Sequence, residues 1–288
     1  MTATALDACL CLLLISAAAV TVTSAPGTAE PSAETGVADA NRADAVAETL
    51  TAATADVPYR LQPVPGSADH GNPEFERVAH GTLASLLAEA AVRTVHVDGT
   101  ALTGTSEAFA NAVRETVRER LPPRTRVEVR WEPYPGAHLG RQFAVGPSPP
   151  PDTDVHAETI RAPSGVDSPP AEAVSSAADE GFDALARVAA ESLVRGLFPP
   201  AKGRLALGGD APVDDLVRHR YRRASEVYGV ETAEPIEDTD TQAANRRIAA
   251  AMRNQIAADL RKNAESPGEV AGSLELDTVK ITVRTWSA

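Results

Sequence analysis

Cysteine is almost missing from this chain. The two that occur are Cys9 and Cys11, and residues 12–288 contain none. For that long remainder, structural disulfides, CxxC redox chemistry, cysteine nucleophiles and cysteine-ligated zinc are excluded. A domain of this size buries enough apolar surface to fold without disulfides, even outside the cytoplasm.

Lysine is also scarce, because only three of the 27 basic residues are lysines (Lys202, Lys262 and Lys280) and the others are arginines. Acidic residues number 40, so the formal net charge is −13. This balance argues against a nucleic-acid-binding surface, for which a basic patch is expected. An acidic, alanine-rich and lysine-poor composition is typical of a high-salt organism, and equally of a GC-rich genome.

Charge is absent from residues 8–25 (ACLCLLLISAAAVTVTSA), and Pro26-Gly27 follows. Eighteen helical residues span about 27 Å, close to the ~30 Å thickness of a bilayer core. Three interpretations stay open: a membrane anchor, a signal peptide cleaved near Ser24, or a buried core helix. A signal peptide requires a basic segment before its apolar core, and no basic residue precedes this run. The anchoring residues would be Leu10, Leu12, Leu13, Leu14, Ile15 and Val20.

Composition divides the chain into three parts. Residues 1–25 are the membrane anchor or signal segment, and residues 26–56 are a small, polar and acidic linker or helical stalk. Within that stalk, residues 41–56 can form a helix with Val46 and Leu50 on a thin apolar stripe. Residues 57–288 form the acidic extracytoplasmic α/β domain, whose folded part is expected to begin near Pro58.

Apolar residues recur with helical spacing in four long segments, which end at prolines or begin at capping residues. Asp240, for example, is a suitable N-cap for the last of them. The predicted helices are residues 74–93, 106–121, 173–198 and 241–263, with a shorter one over 213–228.

Alternating apolar and polar residues predict strands between these helices, as in TRVEVRW from Thr125 to Trp131. The other predicted strands are residues 94–97, 142–145, 155–160 and 274–286. The expected fold is therefore α/β or α+β: an N-terminal transmembrane or signal helix, then one mixed domain with helices mainly on one face of a sheet.

The segment from Gly99 to Ser106 has the spacing of a phosphate-binding loop, but Thr105 stands where the lysine belongs. Without that cation, we interpret the segment as a glycine turn in which Thr105 or Ser106 caps the following helix.

Histidines suggest little chemistry. The His156-Ala157-Glu158 spacing of zinc deaminases lacks the later cysteines that their signature needs. His138 and His156 lie on predicted neighbouring strands and could meet at a metal, although accidental placement is the simpler explanation. His96 is expected to be a core histidine with its hydrogen bonds satisfied.

Charged clusters have plain structural explanations. The basic run from Arg218 to Arg223 wraps around a predicted helix and can pair with nearby acids, or receive an acidic partner. The acidic groups at Asp210–Asp215 and Glu237–Asp240 lack calcium-loop spacing and lie at predicted helix starts, where carboxylates favour the helix dipole. No serine lies in a G-x-S-x-G elbow.

The segment LDACLCLLLISAA (residues 6–18), followed by an acidic α/β domain, is similar to a group of haloarchaeal envelope proteins that resemble pilins. In that group one N-terminal apolar helix carries a variable external domain, associated with type IV pilus-like or secretion assemblies. This chain departs from pilins in having no basic residue before the apolar run. The resemblance implies no catalytic residue, and no cofactor is expected.

Two functions follow as hypotheses. The first is an outward-facing structural or interaction protein, held by membrane lipid through residues 10–20 and binding other envelope or pilus-like proteins, with no nucleic-acid partner. The second is a soluble secreted enzyme or solute-binding domain released near Ser24. Its pocket would be sought around the loops Gly99–Gly104 and Gly136–Gly140.

Overall fold

The computed structural model describes residues 31–62, 64 and 75–287, and within them the side chains from residue 41 onward. The compact unit described below lies within residues 38–288. Of residues 1–37, the described part is the start of the first helix. The helices are α1 (Pro31–Ala52), α2 (Leu83–Arg93), α3 (Glu107–Arg118), α4 (Ala171–Glu180), α5 (Phe182–Leu197), α6 (Pro200–Leu207), α7 (Val213–Tyr228), α8 (Ala233–Glu237), α9 (Thr241–Asn263) and α10 (Pro267–Ala271).

Eight strands form two antiparallel sheets in this part of the chain. The strands are β1 (Thr54–Arg60), β2 (Glu76–Thr82), β3 (His96–Val97), β4 (Thr100–Ala101), β5 (Thr125–Trp131), β6 (Leu139–Val145), β7 (Val155–Pro163) and β8 (Thr278–Trp286). The strands β1 and β2 pair with each other, and the other six are ordered β4-β3-β6-β5-β8-β7. A mixed α/β fold with antiparallel sheets is confirmed.

The apolar residues that alternate with polar ones along the strands place one face of the large sheet in the core. In β5, Val127, Val129 and Trp131 are buried, whereas Arg130 is exposed. In register with them, Ile281 of β8 lies opposite Val129 and is fully buried. Helix α2 packs against β5, β6, β7 and β8. Each large apolar side chain buried in this way contributes about 1.5–3 kcal/mol.

The first predicted helix, residues 74–93, begins too early. Residues Glu76–Thr82 form β2, paired with β1, and Val78 is 66% exposed rather than part of an apolar helix face. The helix starts only at Leu83, where the Thr82 hydroxyl accepts a hydrogen bond from the backbone N–H of Ser85. The apparent helical spacing before Thr82 is accidental, since strand pairing takes the backbone groups that a helix would need.

The predicted helix over 173–198 is two helices, α4 and α5. They are separated at Gly181, whose φ of +117° and ψ of 179° suit glycine alone. Three other predicted helices match the structure well. Helix α9 runs from Thr241 to Asn263, and the Asp240 carboxylate accepts a hydrogen bond from the Ala243 N–H, as expected. Helix α7 has the predicted bounds, and α3 lies within the predicted range.

Residues of the expected stalk contribute to the core. Ala43, Val46, Ala47 and Leu50 of α1 belong to the main apolar cluster, and so does Val57 of β1. The packed part of the chain therefore includes residues well before Pro58. The strand β1 itself has no counterpart among the predicted elements.

The apolar run and its anchoring residues lie outside the described residues, as does the expected cleavage position. Among the residues that are described, no helix is both long enough and apolar enough to cross a membrane.

Candidate functional site

A groove lies on the outer surface between α5 and α9, which pack against each other in antiparallel orientation. One end is fixed by an ion pair between Arg261 near the end of α9 and Asp183 in the first turn of α5. At the other end, the Asn245 side-chain amide donates to the Phe198 carbonyl at 2.7 Å. The facing sides of α5 and α9 form the two walls of the groove.

The groove has a volume of about 500 Å³ and an apolar floor. Its floor is made of small or short side chains, namely Val194 and Pro200 on one side and Ala249 and Ala250 on the other. Small side chains permit close approach by the backbone of a bound chain. The floor therefore suits a bound chain that lies along the two helices without inserting deeply between them.

Arginines line the rim of this groove. Arg187 and Arg195 come from α5, Arg246 and Arg253 come from α9, and all four are exposed. Arg187 lies 3.8 Å from Glu180, whereas no carboxylate among the described residues lies within ion-pair distance of the other three. We call these four residues the arginine rim.

Arginines without a carboxylate partner are the minority in the described part of the chain. Most arginines of the described chain pair with a carboxylate, as Arg126 and Arg284 do with Glu128 on the exposed face of the sheet. In the described residues, those without such a pair are Arg120, Arg124, Arg195, Arg204, Arg220, Arg222, Arg246 and Arg253. Three of them share one groove, so the rim is a local concentration of positive charge on an acidic chain.

A second polar group, the Asp259 cluster, lies where α9 meets the loop before β6. One carboxylate oxygen of Asp259 accepts from the Tyr134 hydroxyl at 2.9 Å and from His138 backbone N–H at 2.9 Å. The same oxygen lies 2.6 Å from His138 Nδ1. Burial, reinforced by the charge of Asp259, raises the pKa of Tyr134, which keeps that hydroxyl protonated as a donor.

The other ring nitrogen of His138, Nε2, is buried and has no hydrogen-bond partner among the described residues. An Asp–His pair of this kind orients the imidazole ring, with Nδ1 toward the carboxylate. No described serine or threonine hydroxyl bonds to Nε2, so the cluster holds an oriented imidazole with no nucleophile beside it.

The structure brings together the two loops in which a pocket was expected. The Asp98 N–H donates to the His138 carbonyl at 2.8 Å, and β3 pairs with β6 through His96 and Gly140. Asp98-Gly99 forms a turn between β3 and β4, as the glycine-turn interpretation requires. Ser106 occupies the N-cap position of α3 but makes no side-chain capping bond, so that part of the prediction is wrong.

His138 and His156, whose meeting at a metal the sequence left open as the less simple explanation, do not come together. His156 lies on β7 opposite Thr285, and β5 and β8 separate β7 from β6. Three strand spacings amount to about 14 Å. No group of three or more His, Cys, Asp or Glu in the described chain is placed to hold a metal ion. His96 is hydrogen-bonded to Thr94 and Arg141, as expected, but it is half-buried and does not belong to the core.

The basic run on α7 is largely engaged within the molecule. Arg218 lies 3.9 Å from Asp214, and Arg223 pairs with Glu226, as expected. Arg220 stacks over the Phe198 ring at 5.0 Å. Burial, together with the positive charge of Arg93, lowers the pKa of Arg220 to about 10, so its guanidinium is still charged at neutral pH.

A family model matches residues 6–286, which include both the apolar run and the folded unit. The chain belongs to that family, DUF7284, a family of unknown function. No curated protein and no solved structure shows significant similarity to the chain. The match covers both the N-terminal run and the folded unit, and the family description assigns no activity.

Both sites were missed in the sequence. Arg246 and Arg253 are seven residues apart on one helix, which is a visible signal of a shared face. Nothing in the sequence indicates that Arg187 and Arg195 lie opposite them. Similarly, Asp259 is 121 residues from His138, and only the docking of α9 joins them.

Proposed function

We propose that this DUF7284 chain is a membrane-anchored, outward-facing interaction protein of the cell envelope, and that the arginine rim is where its folded unit binds an acidic partner. The observation that carries the proposal is the groove with three arginines that have no carboxylate of the described residues within ion-pair distance. Charged side chains left without partners on a protein surface are available to complement a partner of opposite charge.

The anchor in this proposal is a helix formed by the uncharged run, with Leu10, Leu12, Leu13, Leu14, Ile15 and Val20 in contact with lipid. Support comes from the length and composition of the run and from its inclusion in the family match. The folded unit, with helices mainly on one face of its large sheet, would then project from the membrane. The resemblance to pilin-like envelope proteins suggests a type IV pilus-like or secretion assembly as the setting.

Cell fractionation tests this proposal. The full chain is expressed with a C-terminal tag, beside a Leu13→Lys/Leu14→Lys variant that interrupts the apolar run. We expect full-length protein in membranes, a tag that external protease removes, and loss of membrane association in the variant. A full-length product that stays soluble would contradict the proposal.

A second function is favoured by one observation, the buried Nε2 of His138 beside Asp259. A secreted soluble enzyme or solute-binding domain could use this pair at the junction of the two glycine loops. The same fractionation distinguishes the two functions. A soluble product that has lost about 24 residues, the length of a signal peptide, would support the second and overturn the first.

A further inference from the structure

We infer that the groove between α5 and α9 binds an acidic α-helix of a partner protein, and that this helix carries carboxylates seven residues apart on the face that enters the groove. The inference deepens the proposed interaction role and depends on it. It names the chemistry of the partner, which the proposed function leaves open beyond its negative charge.

The spacing of the arginine rim is the first argument. Because α5 and α9 are antiparallel, Arg195 and Arg246 lie toward one end of the groove, and Arg187 and Arg253 lie toward the other. The seven residues from Arg246 to Arg253 correspond to about 10.5 Å along a helix, and the eight from Arg187 to Arg195 to about 12 Å. A bound helix repeats its facing positions every seven residues, at about the same 10.5 Å.

The floor of the groove is the second argument. Ala249 and Ala250 leave room for a helix to lie close to α9, and the half-buried Pro200 supplies apolar contact beside them. Docking an amphipathic helix into a groove is a common mode of peptide recognition. A single phosphate or carboxylate ion is too small to reach both ends of a rim whose charges are about 10 Å apart along the axis.

Glu191 limits which residues the partner helix can carry between its two acidic positions. It lies on α5 midway between Arg187 and Arg195, is exposed, and has no ion-pair partner among the described residues. A carboxylate of the partner at this level would be repelled, so the residues between its two acidic positions must be neutral or basic. A uniformly anionic membrane surface would bring negative charge against Glu191, which makes it the poorer occupant.

The test is a peptide titration of the full-length chain in detergent micelles at about 0.15 M salt, where charges are screened beyond about 8 Å. The probe is a fluorescent 21-residue alanine-based helix with glutamates seven residues apart and glutamines between them. The control peptide has the same composition, with its glutamates moved to opposite faces. We expect saturable binding of the probe and at least tenfold weaker binding of the control. Equal binding of both peptides would overturn the inference.

Two matched double variants locate the binding. Arg246→Gln/Arg253→Gln removes two rim charges and keeps good helix formers on α9. Arg120→Gln/Arg222→Gln removes two exposed arginines that also lack a carboxylate partner but lie outside the groove. Circular dichroism confirms that each variant is folded. We expect the first variant to bind the probe about tenfold more weakly, as loss of roughly 1.4 kcal/mol implies, and the second to bind like the unmodified chain.

Phosphatidylglycerol vesicles are the alternative ligand in the same assay. Binding to the vesicles that depends on Arg246 and Arg253, with no binding of the peptide probe, would overturn the inference in favour of a lipid surface. Cell fractionation is independent of this result. A chain that is anchored and outward-facing but does not bind the probe would refute the acidic helix and leave the anchored interaction protein standing.

Discussion

The Asp259 cluster and the arginine rim are both polar regions supplied by α9, yet they use their charges in opposite ways. Asp259 accepts three contacts through one oxygen, from Tyr134 and from the backbone and ring of His138. On the outer face of the same helix, Arg246 and Arg253 have no carboxylate partner among the described residues. One helix thus carries a charge used inside the molecule and two charges left at its surface.

This difference separates residues that hold the fold from residues available for binding. A partly buried carboxylate with several hydrogen bonds is costly to remove, since its donors lose their acceptor. An exposed arginine without a partner contributes almost nothing to the free energy of unfolding. The comparison therefore predicts opposite outcomes for changes made on the two faces of α9.

The largest expected effect is from Asp259→Ala. Removing this acceptor leaves the backbone N–H of His138 without its partner and the Tyr134 hydroxyl with only its 3.2 Å contact to His138 Nδ1. We expect the free energy of unfolding to fall by about 2–4 kcal/mol. Urea denaturation measures the change. The control is Asp183→Ala, which removes an exposed carboxylate that pairs with Arg261 at the end of the same helix. If the free energy of unfolding falls equally little in both variants, Asp259 does not hold the fold and the contrast between the two regions is wrong.

An intermediate effect is expected at His219, which is buried and hydrogen-bonded to Arg222, with no carboxylate of the described chain within bonding distance. Burial, then the charges of Arg222 and Arg223, lower the pKa of His219, although Glu226 acts in the opposite direction. Its contribution to stability is therefore present above about pH 6.5, the unfolded value, and is lost as the pH falls through the lower folded pKa.

The check is to measure the free energy of unfolding between pH 7.5 and pH 5. We expect His219→Gln to lose less stability on acidification than the unmodified chain does. An identical pH dependence in the unmodified chain and in His219→Gln would show that the ring is not buried as a neutral group.

The smallest expected effect on stability is from Arg246→Gln/Arg253→Gln. Both side chains are exposed and form no ion pair with any residue that the structure describes, so the free energy of unfolding should change by less than about 0.5 kcal/mol. Thermal or urea unfolding gives the value. A loss of more than about 1.5 kcal/mol would show that the rim supports the fold, and the contrast with Asp259 would no longer hold.

Elements with regular periodicity and clear boundaries could be predicted from the sequence. The bounds of α9 follow from its apolar spacing and the Asp240 cap, and those of β5 from the alternation of valines with charged residues. Elements that depend on distant pairing could not. The backbone of β2 is extended because β1 lies beside it, although Phe75, Val78 and Ala79 are spaced as on a helix.

The sites depend even more on tertiary structure. The pairing of β3 with β6 could not be read from two glycine loops about forty residues apart, but it places Asp98 against His138. The ion pairs that neutralise most arginines are likewise visible only after folding. That information identifies the unpaired arginines, because a count of 24 arginines says nothing about which of them have partners.

A charge-reversal experiment tests the central claim most directly. The full-length chain and an Arg246→Glu/Arg253→Glu variant are each titrated with the glutamate probe and with a peptide in which lysine replaces every glutamate. The account predicts that the unmodified chain prefers the glutamate peptide and that the reversed variant prefers the lysine peptide. If reversal leaves the preference for the glutamate peptide unchanged, the arginine rim is not the binding surface.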